Sequence, residues 1–344
     1  VSDAVFRRIL ITGGAGFIGS HFVRLALAAG IPSVVILDKL TYAGSLLNLE
    51  DVLDDPRVRF LEGDIADPAA VAEAMAGCDA VVNFAAETHV DRSLLEPAAF
   101  IRTNVWGTMV LLEQALRLGV GRFLHVSTDE VYGEVLSGSV SEDEPLRPRN
   151  PYAASKAAAE HFVFAYWTSY GLPVLVTRGC NTYGPYQHPE KFIPLAITNL
   201  LTGRPIPLYG DGLHERDWLY VEDHCRAIWT VLVRGEPGQA YNIGAGQHRP
   251  NIAVARALVH LLGADPSAIV HVADRPGHDR RYAVDWSRLR ALGWRPMVDF
   301  EDGLARTVAW YRERTDWWSA RRDAAFAAYY ARNYQGREGY RNQP

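Results

Sequence analysis

Arg8-Ile9-Leu10-Ile11-Thr12 runs straight into Gly13-Gly14-Ala15-Gly16-Phe17-Ile18-Gly19, an apolar strand pattern followed by glycines three residues apart. Glycines at 13, 16 and 19 suit a tight turn, close backbone approach and packing of a helix on a strand. A pyrophosphate would then rest on the N-terminus of the helix expected over 20–29. Such a turn also occurs in ordinary loops, so the next strand matters. It spans 33–37 and ends in Asp38, close to the ~20-residue separation at which a carboxylate accepts hydrogen bonds from an adenosine ribose. The same carboxylate repels a 2′-phosphate, which favours NAD over NADP. Lys39 beside it is a mild counter-signal and fits a solvated residue at a strand end.

Outward from that unit, strand patterns at 58–61, 80–84, 122–126 and 173–177 alternate with helical patterns at 68–76, 98–118 and 152–170. This alternation predicts an α/β chain with a doubly wound parallel (Rossmann) sheet. Asp64 reads either as the cap of the 68–76 helix or as a contact to adenine. Ala85-Ala86 would let a cofactor lie against the backbone. His89 fits a structural hydrogen-bonder better than a catalyst. After Arg178 the pattern breaks into a turn-rich loop at 181–186, an amphipathic stretch at 189–201, a strand and turn at 207–212, a helix at 223–233, a short strand at 240–243, and helices at 249–263 and 300–312. We expect residues 1–178 with about 222–246 to form the NAD-binding domain. Residues 179–221 and 247–322 would form a smaller C-terminal substrate-binding lobe, and 323–344 a tail of helix followed by fraying.

Composition narrows the function. The 344 residues carry a formal net charge of −5, which gives no reason to expect a nucleic-acid partner. No apolar run approaches the ~18–20 residues of a membrane helix. Cys78, Cys180 and Cys225 match neither a disulfide framework nor a metal spacing, and the eleven histidines lack zinc spacing. The expectation is a reduced, cytoplasmic protein without metal or membrane partner.

The chemistry sits in Ser127-Thr128-Asp129-Glu130-Val131-Tyr132-Gly133, at the carboxyl end of the 122–126 strand where open parallel sheets bind ligands. Tyr152 and Lys156, four apart, share one helix face. An ammonium beside a phenol favours the phenolate and lowers a pKa of ~10, supplying a base for a sugar hydroxyl. Asp129 and Glu130 also fit an acidic pair at a helix N-terminus. The aromatic and aliphatic residues of the 98–118 and 152–170 helices, among them Trp106, Phe162, Phe164 and Trp167, exceed what one core needs. They predict a homodimer through those helices.

GGAGFIGS, STDEVYG, PYAASK, NTYGPYQHPEKFIP, RDWLYVEDH and ADRPGHDRRY together resemble the dTDP-glucose 4,6-dehydratases, which are extended short-chain dehydrogenase/reductases. The resemblance runs from about Arg8 to the Trp317 region. The glycine turn and YxxxK are shared across that superfamily; the Asp-Glu pair after Thr128 is the specific part. It implies that Tyr152 takes the proton of the sugar's 4-hydroxyl during oxidation at carbon 4, with Lys156 tuning it and Thr128 bonding the reacting oxygen. Glu130 then acts as base and Asp129 as acid in losing water across carbons 5 and 6, before hydride return to carbon 6. NAD would lie against Gly13, Gly16, Phe17, Ile18, Asp38, Lys39, Thr41, Gly44, Asp64, Ile65, Phe84, Ala85, Ala86, Tyr152 and Lys156. For a dTDP-sugar, the resemblance points to Arg216 and Arg275 on the diphosphate and Asn181 near it. It also points to Glu190, Lys191 and Tyr209 around the base, with Thr88 and Asn251 as further contacts. Thr182 and Thr88 stand where many members carry Asn and Ser. A 4-epimerase or UDP-glucuronate decarboxylase would share the turn, Asp38, Tyr152 and Lys156, but has no use for an adjacent acid and base.

Overall fold

The β1 strand, Arg8–Thr12, is apolar on both faces because helices cover both sides of it. In the computed structural model, which describes residues 5–334, it lies inside a seven-stranded sheet. The other strands are β2 Ser33–Asp38, β3 Val58–Glu62, β4 Ala80–Asn83, β5 Arg122–Thr128, β6 Val174–Gly179 and β10 Gln239–Ile243. Their order is β10-β6-β5-β4-β1-β2-β3, with every pair parallel. Strand order reverses between β1 and β4, so a crevice opens above their carboxyl ends. The doubly wound sheet is thus as the alternation predicts.

Among the described residues, five short strands form two small sheets in the remaining chain. Strands β7 Asn181–Tyr183, β9 Glu215–Tyr220 and β11 His248–Pro250 form one, and β8 Ile206–Tyr209 pairs with β12 Ile269–Val272 in the other. The strand expected at 207–212 is β8, but at 181–186 the sequence suggested only a turn and from 249 only a helix. Strands of three residues are too short to show alternation, and their pairing is fixed by partners far along the chain. An aromatic core of Tyr183, Trp218, Tyr220, Phe300, Tyr311 and Trp317 holds this half together. Trp317 Nε1 donates to Asn48 Oδ1 at 2.8 Å and ties it to the large sheet's half.

The helix expected over 98–118 is interrupted. Pro97–Phe100 and Thr108–Leu118 are α-helical, but Ile101–Gly107 between them makes wide π turns. A Cβ on Gly107 would meet the Ile65 side chain at 2.6 Å, so this stretch presses on the neighbouring loop. Its turns bring Thr103 to Lys39 Nζ at 3.0 Å and Asn104 to the backbone of Glu87, where Oδ1 accepts from the amide at 2.8 Å. Wide turns inside helices commonly mark functional positions. The Pro151–Tyr170 helix packs beside this segment and carries Tyr152 and Lys156 on a buried stripe. Asn150 caps it, accepting from Ala153 N at 2.8 Å. Ile101, Trp106, Phe162 and Tyr170 remain exposed on these helices. The tail expected from 323 begins with the helix Ala324–Tyr334, and the fraying expected after it lies outside the described residues. Among the described residues no helix is long and apolar enough to cross a membrane.

Candidate active site

Backbone, rather than side chains, shapes the first cleft. Gly13 has φ +67°, and a Cβ there would sit 2.6 Å from Ala85 N. A Cβ on Gly19 would strike Gly13 O. Gly16 begins the Phe17–Ala28 helix, and no side chain among the described residues caps it. The amides of its first turn are therefore left to the cleft, where Gly16, Phe17, Ile18 and Gly19 all line the wall. Asp38, at the end of β2, accepts from Ala15 N at 3.0 Å and Leu40 N at 2.9 Å. Leu40 takes the left-handed region, φ 52°, to make that bond. Burial pushes the Asp38 carboxyl up while these amides pull it back. Lys39, Thr41, Gly44, Ile65, Phe84, Ala85 and Ala86 complete the wall. These residues fit a dinucleotide: a crevice without side chains, free helix amides, and a carboxylate for a ribose.

Two details differ from the sequence reading. Asp64 does not cap the Pro68–Met75 helix, which leaves the adenine contact as its reading, and its chain neighbours Gly63 and Ile65 line the cleft. Asp67 is the cap, accepting from Ala69 N at 2.9 Å, because it directly precedes the proline that starts the helix. Asp64 instead turns its own loop by accepting from Ala66 N and lies 3.8 Å from Lys39 Nζ. Lys39 is not a merely solvated residue, since Thr103 and Glu87 also hold its ammonium.

At the end of β5 the chain turns through Asp129–Tyr132, with Thr128 Oγ1 accepting from Glu130 N at 3.2 Å. Thr128, Asp129, Glu130, Tyr152 and Lys156 all line the same cleft. Asp129 is buried, and desolvation followed by the neighbouring Glu130 charge holds its carboxyl well above the usual range. Glu130 is only half-buried, with Asn150 Nδ2 and Tyr282 Oη approaching Oε2 at 3.4 and 3.5 Å. One carboxyl is enclosed and the other partly open to water, an arrangement that suits an acid beside a base.

The Tyr152–Lys156 pair corrects one expectation. Burial pushes the Tyr152 phenol up, Glu130 adds to that, and a bond with the Thr128 hydroxyl opposes it. Lys156 does not reverse this, because its ammonium is spent elsewhere. It donates to Val126 O at 2.6 Å and meets His125 Nε2 at 3.3 Å, while burial brings its pKa down to about 8. His125, missed in the sequence, is kept neutral by burial and by Lys156, and its Nδ1 meets Asn83 Nδ2 at 3.1 Å. Asn83 in turn accepts from Thr12 at 2.6 Å. A histidine inside an otherwise apolar buried strand was the signal available for it.

A second pocket adjoins the first. Thr88, Glu130, Asn181, Glu190 and Lys191 line both, and Tyr209, Arg216, Asn251 and Arg275 line the second alone. Arg216 is 5% exposed, yet no carboxylate among the described residues pairs with it. Its Nη1 donates to Glu215 O at 2.8 Å and Nη2 to Asp279 O at 2.9 Å, and Tyr282 lies under the guanidinium. Asn251 Oδ1, Arg275 Nε, His89 Nδ1 and Trp218 Nε1 are buried around the same space without a partner among the described residues. An unpaired buried guanidinium and polar atoms without partners converging on a pocket call for an anionic ligand. Glu190 is buried against Arg92 at 3.0 Å, and Lys191 donates to Thr88 O at 2.9 Å.

The sequence reading also missed Asp91 and His278 in this pocket. His278 and His214 share Asp274, at 2.6 and 3.2 Å, and are the one trio among the described residues whose atoms approach closely enough for a cation. The rings stack at 3.7 Å and 9°, so their lone pairs run nearly parallel and do not converge on an ion. Burial lowers His278 to about 3, leaving a neutral ring behind Arg275.

Fold and site define a class: a doubly wound short-chain dehydrogenase/reductase with an acid pair next to its Tyr-Lys dyad. A model of the GDP-mannose 4,6 dehydratase family matches residues 10–307. The dTDP-glucose 4,6-dehydratase of Streptomyces niveus is 51% identical over 317 residues, covering 90% of this chain and 94% of that one. That of Streptomyces griseus is 54% identical over 314 residues, covering 90% and 95%. The crystal structure of DesIV, the dTDP-glucose 4,6-dehydratase of Streptomyces venezuelae, with NAD bound, superposes with a TM-score of 0.90 at 54% identity. It covers 91% of this chain and 99% of its own. The chain belongs to the dTDP-glucose 4,6-dehydratase family.

Proposed function

We propose that the protein is a hydro-lyase that converts dTDP-glucose to dTDP-4-keto-6-deoxyglucose, with NAD held in the first cleft and the sugar nucleotide in the second. The observation that carries this reading is the carboxyl pair: Asp129 buried with its carboxyl held well above the usual range, Glu130 half-solvated, both in the cleft that holds Tyr152 and Lys156.

When bound, NAD supplies a reversible two-electron acceptor and, in its oxidised form, a positive charge beside the phenol. Tyr152 is the group that takes the proton of the 4-hydroxyl, with the Thr128 hydroxyl on the same oxygen. Lys156, anchored by Val126 O and His125, holds its ammonium in place for the cofactor ribose. Once carbon 4 is a ketone, the proton on carbon 5 is acidic, and Glu130 is placed to remove it. Asp129 gives its proton to the departing 6-hydroxyl, a role suited to a carboxyl that burial and the Glu130 charge hold above the usual range. Arg216 and Arg275 face the diphosphate, with Asn181 and Thr88 where both clefts meet.

The same reading divides the chain into an NAD-binding domain, 1–178 with about 222–246, and a substrate lobe, 179–221 with 247–322. Support comes from where the lining residues fall: Tyr209, Arg216, Asn251 and Arg275 all lie in the second group. It also includes a homodimer through the helical segments around 98–118 and 152–170, whose exposed Ile101, Trp106, Phe162 and Tyr170 need cover. Three free cysteines, all buried, fit a reducing cytoplasm.

The deciding experiment is incubation with dTDP-glucose in deuterated water. A 4-keto-6-deoxy product carrying deuterium at carbon 5, with no NADH accumulating, is expected. A product that keeps its 6-hydroxyl would overturn the assignment.

A further inference from the structure

The helix Ala324–Tyr334 lies beyond residue 307, where the family match ends, yet its side chains reach into the second pocket. Asp91 is the point of contact. Its Oδ1 accepts from Arg275 Nη1 at 2.8 Å. Its Oδ2 accepts from Tyr329 Oη at 3.0 Å and from Tyr209 Oη at 3.2 Å. Arg275 and Tyr209 both line the pocket, so one buried carboxylate sets the position of a cation and a phenol together. Tyr329 also meets His89 Nε2 at 3.2 Å, which fixes it from the other side. Although burial alone would raise Asp91, the guanidinium of Arg275 and these donors hold it well below the usual carboxylate range. It therefore stays charged. Tyr334, at the end of the helix, lines the pocket itself, with its ring 5.5 Å from that of Tyr209.

We propose that this helix completes the nucleoside-diphosphate subsite: Tyr334 is a binding residue that walls the pocket beside Tyr209, and Tyr329 is a positioning residue that fixes Arg275 through Asp91. The two act differently. Tyr334 offers the pocket a ring face, and its hydroxyl, 3.5 Å from Tyr329 Oη, makes only a long contact. Tyr329 offers a hydroxyl to a charged acceptor, so its ring alone does not suffice. A chain that stops short of this helix would leave Asp91 with a donor missing and the pocket open on one side.

The inference rests on the reading of the second pocket as the dTDP-sugar site, and the test separates the two. Titration calorimetry with dTDP is carried out on the full chain loaded with NAD and on Tyr334→Ala, Tyr334→Phe and Tyr329→Phe. Tyr334→Ala and Tyr329→Phe should each bind dTDP about tenfold more weakly, and Tyr334→Phe should restore binding to within about twofold. With dTDP-glucose the loss should appear in KM, with little in kcat, and NAD content should not change. Equal dTDP affinity in the parent, Tyr334→Ala and Tyr329→Phe would overturn the inference while leaving the pocket assignment intact. Loss of NAD in step with dTDP affinity would also overturn it, since the helix would then be only a structural prop. A parent chain that does not bind dTDP at all would defeat the pocket assignment and this inference with it.

Discussion

The two clefts that meet at Glu130 are built on opposite principles. The first is defined by what is missing: Gly13, Gly16 and Gly19 leave room for a ligand against bare backbone, and almost any added atom would collide. The second is defined by what is supplied: Arg216 presents a buried charge without a carboxylate, and Arg275 Nε, Asn251 Oδ1 and Trp218 Nε1 are polar atoms left without partners among the described residues. The first should fail on addition, the second on deletion. Glu130, shared between them, should fail in chemistry while both ligands still bind.

That contrast can be broken in order of effect. Glu130→Gln, at the seam, should lower turnover about 10²- to 10⁴-fold with both ligands retained, the reaction halting after oxidation at carbon 4. Rapid-quench product analysis with cofactor absorbance checks it, and unimpaired product formation would sink the role of this carboxyl. Arg216→Met should raise the KM for dTDP-glucose about 10²-fold, as for a buried charge on a charged ligand, while cofactor content stays at the parent level. Gly13→Ala should do the reverse. Its φ of +67° and the 2.6 Å approach to Ala85 N predict cofactor retention weakened about 10- to 100-fold, with dTDP binding kept. Loss of both ligands from either variant would erase the distinction between the clefts.

The smallest effect concerns stability. The Asp129 carboxyl is raised in the folded chain, so the folded state binds more protons than the unfolded one and stability falls as pH rises above the ordinary carboxylate value. Removing that titration should help at high pH. Asp129→Asn is expected to melt higher than the parent by roughly 2 °C or more at pH 8, with the gap closing toward pH 4. Melting curves across that range check it, and a gap independent of pH would mean the carboxyl is not buried as a protonated group.

The same contrast explains what could be read from the sequence. The glycine turn, Asp38 and the alternation of elements are local, so the sheet and the glycine floor and carboxylate of the first cleft were visible in consecutive residues, while the rest of its wall came from the resemblance. Asp64 misled because its neighbour Asp67 has the same chemistry three positions on, and only the helix start at Pro68 decides between them. The second pocket is assembled from segments near 88, 181, 190, 209, 216, 251 and 275, brought together by strands too short to show a period. There the resemblance to known dehydratases supplied residues that spacing could not. Asp91 and Tyr329 escaped both routes, since their partnership spans 238 residues. The direction of the Tyr152 shift escaped as well, because it depends on burial and on Lys156 being tied to Val126 O and His125.

The wide-turned stretch Ile101–Gly107 has two audiences. Inward, Thr103 and Asn104 grip Lys39 and Glu87 at the cleft mouth; outward, Ile101 and Trp106 stand bare. One seven-residue stretch thus carries both an apolar outer face and the contacts that hold two residues of the cleft wall in place, so its wide turns serve two surfaces at once.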